Sequence, residues 1–323
     1  MYFLGMYMAT TSWETQMTRA QRRELDAMLR KEAQGFVPLP IEQMRQGFAA
    51  LMAQFPVSAD VRRTPTELAG RPALLVEPAG LAQEARPGTI LYFHGGSFAL
   101  GSPDTGLVNT ANLVRRTGVR AISLDYRLAP EHPFPAAIED CLAAYRALLD
   151  AGTDAASIVL AGDSAGGGLS VTTSLLARDA GLPLPAAIIA FSPGVDATRT
   201  GRSMTTKQGI DPYFVPEGMA HTAEMYLAGQ DPAQPLLSPA VYADLTGLPP
   251  MLLQVGTNEL LLDDAVRLAA RATEAEVDVI LDITAGVPHV FQAFDGTLAL
   301  DEAGQALDRA ALFLTQHLGV PVG

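Results

Sequence analysis

Ala161-Gly162-Asp163-Ser164-Ala165-Gly166-Gly167-Gly168 is the stretch from which the rest of the chain is read. Just before it, Ser157-Ile158-Val159-Leu160 is a short β-branched and apolar run that predicts a buried strand. Just after it, Leu169 to Arg178 has the make-up of a helix. The glycines therefore fall at a sharp strand-to-helix turn with Ser164 at its tip. G-x-S-x-G in that context is the pattern of a nucleophile elbow. Small neighbours are needed because the serine is held in a strained conformation between strand and helix. Its Oγ is lifted clear of the backbone, and the Ala165 N–H points where an oxyanion would form. The same pattern also arises in ordinary Gly-rich turns. The rest of the chain has to supply a base, an acid and further oxyanion donors.

Composition narrows the field. The chain has 323 residues, 48% of them hydrophobic, enough for one large α/β domain with an attached cap. Its formal net charge of −13 disfavours phosphate backbones and anionic membrane surfaces, so neither nucleic acid nor membrane is expected as a partner. The single cysteine, Cys141, excludes an intramolecular disulfide and reads as a small buried apolar residue in a helix. Met1 to Met8 lacks a basic n-region and a full h-region, so no signal peptide is read there. With no apolar run long enough for a bilayer, the expectation is a cytoplasmic protein.

Outward from the elbow, helices and strands alternate. Thr18 to Glu32 is an amphipathic helix with Leu25, Met28 and Leu29 on one face, and Ile41 to Gln54 is a second. Both precede any strand, which predicts an N-terminal cap segment over residues 1–55 and a catalytic domain over 56–323. Strands begin near Val61 and recur at 73–78, 89–93, 119–124, 186–191, 251–255 and 277–283. Helices are expected at 107–117, 136–150, 263–275 and 298–318. Such alternation predicts an α/β fold, a mostly parallel sheet with helices on both faces, whose ligands sit at the carboxyl ends of the strands. Residues 198–231 break the alternation and read either as a packed structural insertion or as a lid, a cap insertion that contributes to an apolar substrate pocket. It carries Met204, Ile210, Tyr213, Phe214, Met219, Tyr226 and other apolar residues.

His94, Ser164, Glu259 and His289 all fall just after predicted strands, on one edge of the sheet. Gly95 and Gly96 offer backbone N–H groups that, with Ala165, would form an oxyanion hole; the Ser97 N–H competes for membership. His94 leads that turn and reads as a structural hydrogen-bonder. His289 is the base candidate: it follows the last strand and comes after the serine in chain order. His132, His221 and His317 have no metal-ligand spacing, so no metal or other cofactor is expected. The acid must lie between. Glu259 ranks ahead of Asp263, Asp264 and Asp196 because it is nearest to a strand end, whereas Asp263 and Asp264 occupy the first turn of a helix, where carboxylates are common anyway.

With those residues in place, the chain resembles the hormone-sensitive-lipase-like esterases of the α/β-hydrolase superfamily. The resemblance is carried by His94-Gly95-Gly96-Ser97-Phe98, Asp125 to Ala136, Gly162-Asp163-Ser164-Ala165-Gly166-Gly167 and Pro288-His289. It implies Ser164 as nucleophile, His289 as base, and the loop glycines with Ala165 as oxyanion hole. It also implies a structural role for Asp125 to Pro135, a two-part cap, and a homodimer as a common assembly. The chain departs from the family pattern twice. Glu259 followed by Leu260-Leu261 stands where an aspartate followed by Pro-Leu is usual, and Ser97 stands where a third glycine is common. The implied activity is hydrolysis of short-chain carboxylic esters through an acyl-enzyme. A lactone hydrolase with the same triad is the close alternative, and a non-catalytic small-molecule receptor is the alternative of another class.

Overall fold

In Ile90-Leu91-Tyr92-Phe93 no side chain carries a charge, so neither face of this strand is suited to water. Side chains alternate across a strand, so Ile90 and Tyr92 must meet one layer of helices while Leu91 and Phe93 meet another. The computed structural model, which describes residues 19–30, 37–80, 86–296 and 300–319, shows that arrangement. Strands β1 (Val61–Leu68), β2 (Arg71–Pro78), β3 (Arg86–Phe93), β4 (Val119–Leu124), β5 (Ile158–Asp163), β6 (Ala187–Phe191), β7 (Met251–Gly256) and β8 (Val279–Thr284) form one sheet. Their order is β1-β2-β4-β3-β5-β6-β7-β8. β1 and β2 are antiparallel to each other, and β2 is antiparallel to β4; from β4 to β8 every pairing is parallel.

The covering helices follow the alternation. Helix α1 spans residues 19–30, α2 Ile41–Met52, α3 Leu107–Thr117, α4 Ala136–Asp150 and α5 Ala165–Asp179. Further on are α6 (Ser203–Thr206), α7 (Pro216–Leu227), α8 (Pro239–Tyr242), α9 (Leu262–Glu274) and α10 (Asp301–His317). Ile90, Tyr92, Val159 and Ala161 pack with Leu113 and Val114 of α3 and Leu307 and Leu314 of α10. Leu91, Phe93 and Leu160 pack on the opposite face with Ala137, Cys141 and Tyr145 of α4 and Leu169 of α5. Cys141 is fully buried. Among the described residues, no helix is long and apolar enough to cross a membrane.

The elbow is tighter than the sequence suggests. β5 runs on to Asp163, and α5 begins at Ala165, so Gly166, Gly167 and Gly168 lie inside the first turn of the helix. They are needed there. A Cβ on Gly166 would overlap the Phe93 carbonyl oxygen, and one on Gly168 would overlap the Gly194 carbonyl oxygen.

The N-terminal helices do more than cover the sheet. Leu25 and Leu29 of α1 and Phe55 are buried against Val108, Val287, Phe291 and Phe294. Arg22 of α1 forms an ion pair with Glu302 of α10 instead of lying in solvent. The part of α1 expected beyond residues 19–30, the stretch Met1 to Met8 and the first two residues of the last helix expected over 298–318 lie outside the described residues. The insertion at 198–231 folds as α6 and α7 with connecting loops.

Candidate active site

Three strand ends converge at this edge. Ser164 follows β5 with φ +54° and ψ −117°, a backbone position that non-glycine residues enter at a cost of about 1–3 kcal/mol. Hydrogen bonds hold it there. The Ser164 N–H donates to Phe191 O at 2.8 Å, and its carbonyl accepts from Gly168 N–H and Gly194 N–H at 3.1 and 3.0 Å. The strain is thus fixed by β6 and by the helix turn on either side.

Glu259 follows β7 and is fully buried. Its Oε1 accepts from Gly256 N–H at 2.5 Å and from Ser192 Oγ at 3.0 Å, while Oε2 lies 2.7 Å from His289 Nδ1. A carboxylate can only accept, so the imidazole carries its proton on Nδ1 in this pairing. In the neutral ring Nε2 is then the acceptor, and it is buried with no hydrogen-bond partner. Phe214, from the 198–231 insertion, packs edge-on against the His289 ring at 4.8 Å. His289 and Ser164 line the same cavity.

The other carboxylates considered from the sequence are engaged elsewhere. Asp263 Oδ2 accepts from Ser203 N–H at 3.2 Å. Asp264 Oδ2 accepts from Val195 and Asp196 N–H, both at 2.9 Å. Asp196 pairs with Arg267 at 2.9 Å. His94 is fully buried, with Nδ1 2.8 Å from Gly95 O and its ring stacked on Tyr126 at 4.2 Å. Burial pulls its pKa down to about 4, so it is a neutral spacer under the loop. His132 is exposed, and His317 Nδ1 bonds Phe313 O in its own helix. Among the described residues, no group of three His, Cys, Asp or Glu side chains is placed to hold a metal ion.

The loop after β3 separates its amides. Gly95 lies against the Asp163 carboxylate; a Cβ there would overlap Asp163 Oδ2, and the Gly95 N–H helps to hold that carboxylate ionised. Gly96 (φ +122°) and Ser97 (φ +54°) continue the turn, and the N–H groups of these two have no hydrogen-bond acceptor among the described residues. Asp163 itself is buried. Burial raises its carboxyl pKa, while Tyr92 Oη, donating at 2.5 Å, and the Gly95 amide oppose that.

Two residues at this edge had no motif to mark them. Ser192, at the end of β6 with φ +46°, donates to Glu259 Oε1 and accepts from Val290 N–H at 3.0 Å. It ties Glu259 to the histidine loop. The stretch Ser192-Pro193-Gly194, a turn signal directly after a strand, was the available clue. Asp211 of the insertion accepts from Leu260 N–H at 2.8 Å and from Tyr213 and Phe214 N–H, and so fastens the insertion beside Glu259.

Ser164 stands at the mouth of two cavities. One, of about 760 Å³, is lined by Gly96, His289, Tyr213, Phe214 and residues Phe48 and Met52 of α2. The other, of about 770 Å³, is lined by Ala165, Phe98, Leu169, Met219 and Tyr226.

A family model described as the α/β hydrolase fold matches residues 90–293. An acetyl-hydrolase of Streptomyces hygroscopicus is 44% identical over 231 residues, which is 72% of this chain and 76% of that protein. An esterase of Acinetobacter venetianus is 34% identical over 306 residues, 94% of this chain and 97% of its own length. The crystal structure of an esterase from the bacterial hormone-sensitive lipase family superposes with a TM-score of 0.87 at 40% identity, covering 93% of this chain and 99% of that one.

Proposed function

Since the chain belongs to the hormone-sensitive-lipase-like esterases of the α/β-hydrolase fold and is a carboxylic ester hydrolase, we propose that Ser164, His289 and Glu259 carry the reaction through an acyl-enzyme. The observation that supports this most is the 2.7 Å contact between His289 Nδ1 and Glu259, which leaves Nε2, the acceptor of the neutral ring, buried and unpartnered beside the cavity that His289 and Ser164 line.

The steps follow from that geometry. Ser164 Oγ attacks the ester carbonyl carbon while His289 Nε2 takes its proton. Glu259 holds the tautomer and stabilises the imidazolium. The carbonyl oxygen becomes an oxyanion, which the N–H groups of Ala165, Gly96 and Ser97 stabilise; losing one such donor costs about 3 kcal/mol in the barrier. Gly95, expected among these donors, is better read as a spacer, because its amide faces Asp163. His289 then gives its proton to the leaving alkoxide. Water attacks the acyl-enzyme, gives a proton to His289, and the acid leaves as Ser164 recovers it.

The leaving alcohol must reach His289, so it occupies the cavity of Tyr213, Phe214 and α2. The acyl chain occupies the cavity beyond Ala165, whose wall includes the stacked pair Phe98 and Tyr226, 4.0 Å apart. Those walls favour short acyl chains. In this reading α1, α2 and the 198–231 insertion act together as a cap.

The test is hydrolysis of aryl esters of increasing acyl length, and of an ε-lactone, by wild type and Ser164→Ala. Short esters turned over fastest by wild type, with that activity lost in the variant, is the expected result. Lactone opening faster than ester cleavage would reassign the substrate. Activity surviving in Ser164→Ala would remove the nucleophile.

A further inference from the structure

The cavity beyond Ala165 is apolar along most of its wall, yet a cation lines it. Arg199 follows β6 in the loop that begins at Ser192. Its guanidinium is largely buried, and burial pulls its pKa below the usual arginine value. One nitrogen, Nη2, donates to the Met219 carbonyl of α7. The other, Nη1, is buried and has no hydrogen-bond partner. Among the described residues Arg199 makes no ion pair, whereas Arg267 close by pairs with Asp196 at 2.9 Å. The Arg199 backbone is also in the left-handed region, φ +54°, where a non-glycine residue is strained. A buried guanidinium nitrogen without a hydrogen-bond partner is unfavourable, and apolar contacts alone give no reason to keep it.

Two carboxyl groups line the same cavity and attract the Arg199 charge, but neither bonds to it directly. Asp196 is occupied by Arg267 and by Thr198 and Thr200. Asp264 accepts two amide N–H bonds, and burial pushes its carboxyl up to about 8, so it is mostly protonated near neutrality. His289 does not line this cavity, so the part of the substrate that enters it is the acyl group rather than the leaving alcohol.

We infer that Arg199 selects esters whose acyl chain ends in a carboxylate, the half-esters of short dicarboxylic acids, with the substrate supplying the direct partner that Nη1 lacks. This rests on the Ser164 reading above and adds the substrate class to it. The carboxylate accepts from Nη1 while Nη2 keeps Met219, and the ester carbonyl stays at Ser164.

The test compares monoethyl succinate, glutarate and adipate with ethyl butyrate, pentanoate and hexanoate, following acid release by pH-stat. Wild type, Arg199→Met and Arg199→Lys are assayed at pH 7. Wild type should favour at least one half-ester over its neutral counterpart by about tenfold or more in kcat/KM, the size expected of one charge-assisted hydrogen bond. Arg199→Met should lose that preference through KM, the half-ester kcat/KM falling about tenfold more than that of the matching neutral ester. Arg199→Lys should retain part of the preference. Two results would overturn the inference: neutral esters preferred by wild type at every length, or Arg199→Met slowing both series alike, which would make Arg199 only a clamp on α7. The wild-type comparison stands even if a variant does not fold. Wild type hydrolysing neither series would instead refute the Ser164 reading.

Discussion

Glu259→Gln is the most discriminating substitution, because the structure limits what the new amide can do. Glutamine matches glutamate in size, so packing is unchanged. The Oε1 position faces two donors, Gly256 N–H at 2.5 Å and Ser192 Oγ at 3.0 Å, and the Oε2 position faces His289 Nδ1 at 2.7 Å. If the amide oxygen takes the first position, its NH₂ faces Nδ1. Nδ1 must then accept, the imidazole proton moves to Nε2, and Nε2 can no longer take the Ser164 proton. If the amide is turned round, its NH₂ faces the Gly256 N–H, and that buried donor is left unpaired at a cost of about 1–3 kcal/mol. The first arrangement therefore wins, and it holds the base in the wrong tautomer. Neither arrangement restores the negative charge opposite the imidazolium.

The expected loss in kcat is about 10³- to 10⁴-fold, or ~4–5.5 kcal/mol in the barrier, the scale known for carboxylate-to-amide changes in serine-histidine-acid triads. KM should change little, because Glu259 is fully buried and touches no substrate. The assay is initial-rate hydrolysis of p-nitrophenyl acetate, with circular dichroism and a melting curve to show that the variant folds. Asp263→Asn is the control: its carboxylate reaches Ser203 N–H, not the histidine, and kcat should stay within about twofold. A folded Glu259→Gln that keeps more than about a tenth of wild-type kcat would refute the reasoning. So would a larger loss in Asp263→Asn.

Ser192→Ala removes one hydroxyl that both donates to Glu259 and accepts from Val290 N–H; at about 1 kcal/mol per bond, kcat should fall about 10- to 30-fold with KM nearly unchanged. In a double-mutant cycle with Glu259→Gln the two losses should fall well short of adding, and full additivity would show that Ser192 does not act through the acid. Asp264→Asn tests a charge rather than a contact. Burial raises the Asp264 carboxyl from 3.8 to about 8, so between those values the folded chain holds a proton that the unfolded chain has released. Wild-type stability from this group is therefore greatest at low pH and is lost as pH climbs toward 8, by up to about 1.4 kcal/mol per unit. The melting temperature of Asp264→Asn should rise relative to wild type from pH 5 to pH 8; a constant or shrinking difference would contradict the assignment.

The central sheet was legible in the sequence because strands covered on both faces are written in apolar residues without interruption. The boundaries expected for 107–117, 119–124 and 136–150 coincide with α3, β4 and α4. The edges were harder to read. β1 carries Arg62, Arg63 and Glu67, is largely exposed, and is a strand because it pairs with β2 along its whole length. A pairing partner leaves no apolar signature. The start of α5 was hidden for a related reason. Glycines read as turn residues, but here they sit inside the helix, because Phe93 and Gly194 approach its first turn too closely for any side chain.

The site divides along the same line. Ser164, Glu259 and His289 each follow a strand, so their meeting is a consequence of sheet topology and could be read once the strands were placed. Ser192 also ends a strand, and Asp211 is an acid close to the same edge, yet neither stood out. A hydroxyl that joins two loops and a carboxylate that caps three amides act through neighbours that only the folded chain supplies. The carboxyl groups around His289 make the point. Glu259, Asp163 and Asp211 are all buried carboxyl groups near His289, and burial raises the pKa of the last two. Only Glu259 touches the ring, because Asp163 is held by Tyr92 and Asp211 by three backbone amides. What separates the carboxylate that touches His289 from two that merely face it is which hydrogen-bond donors have already claimed the other two.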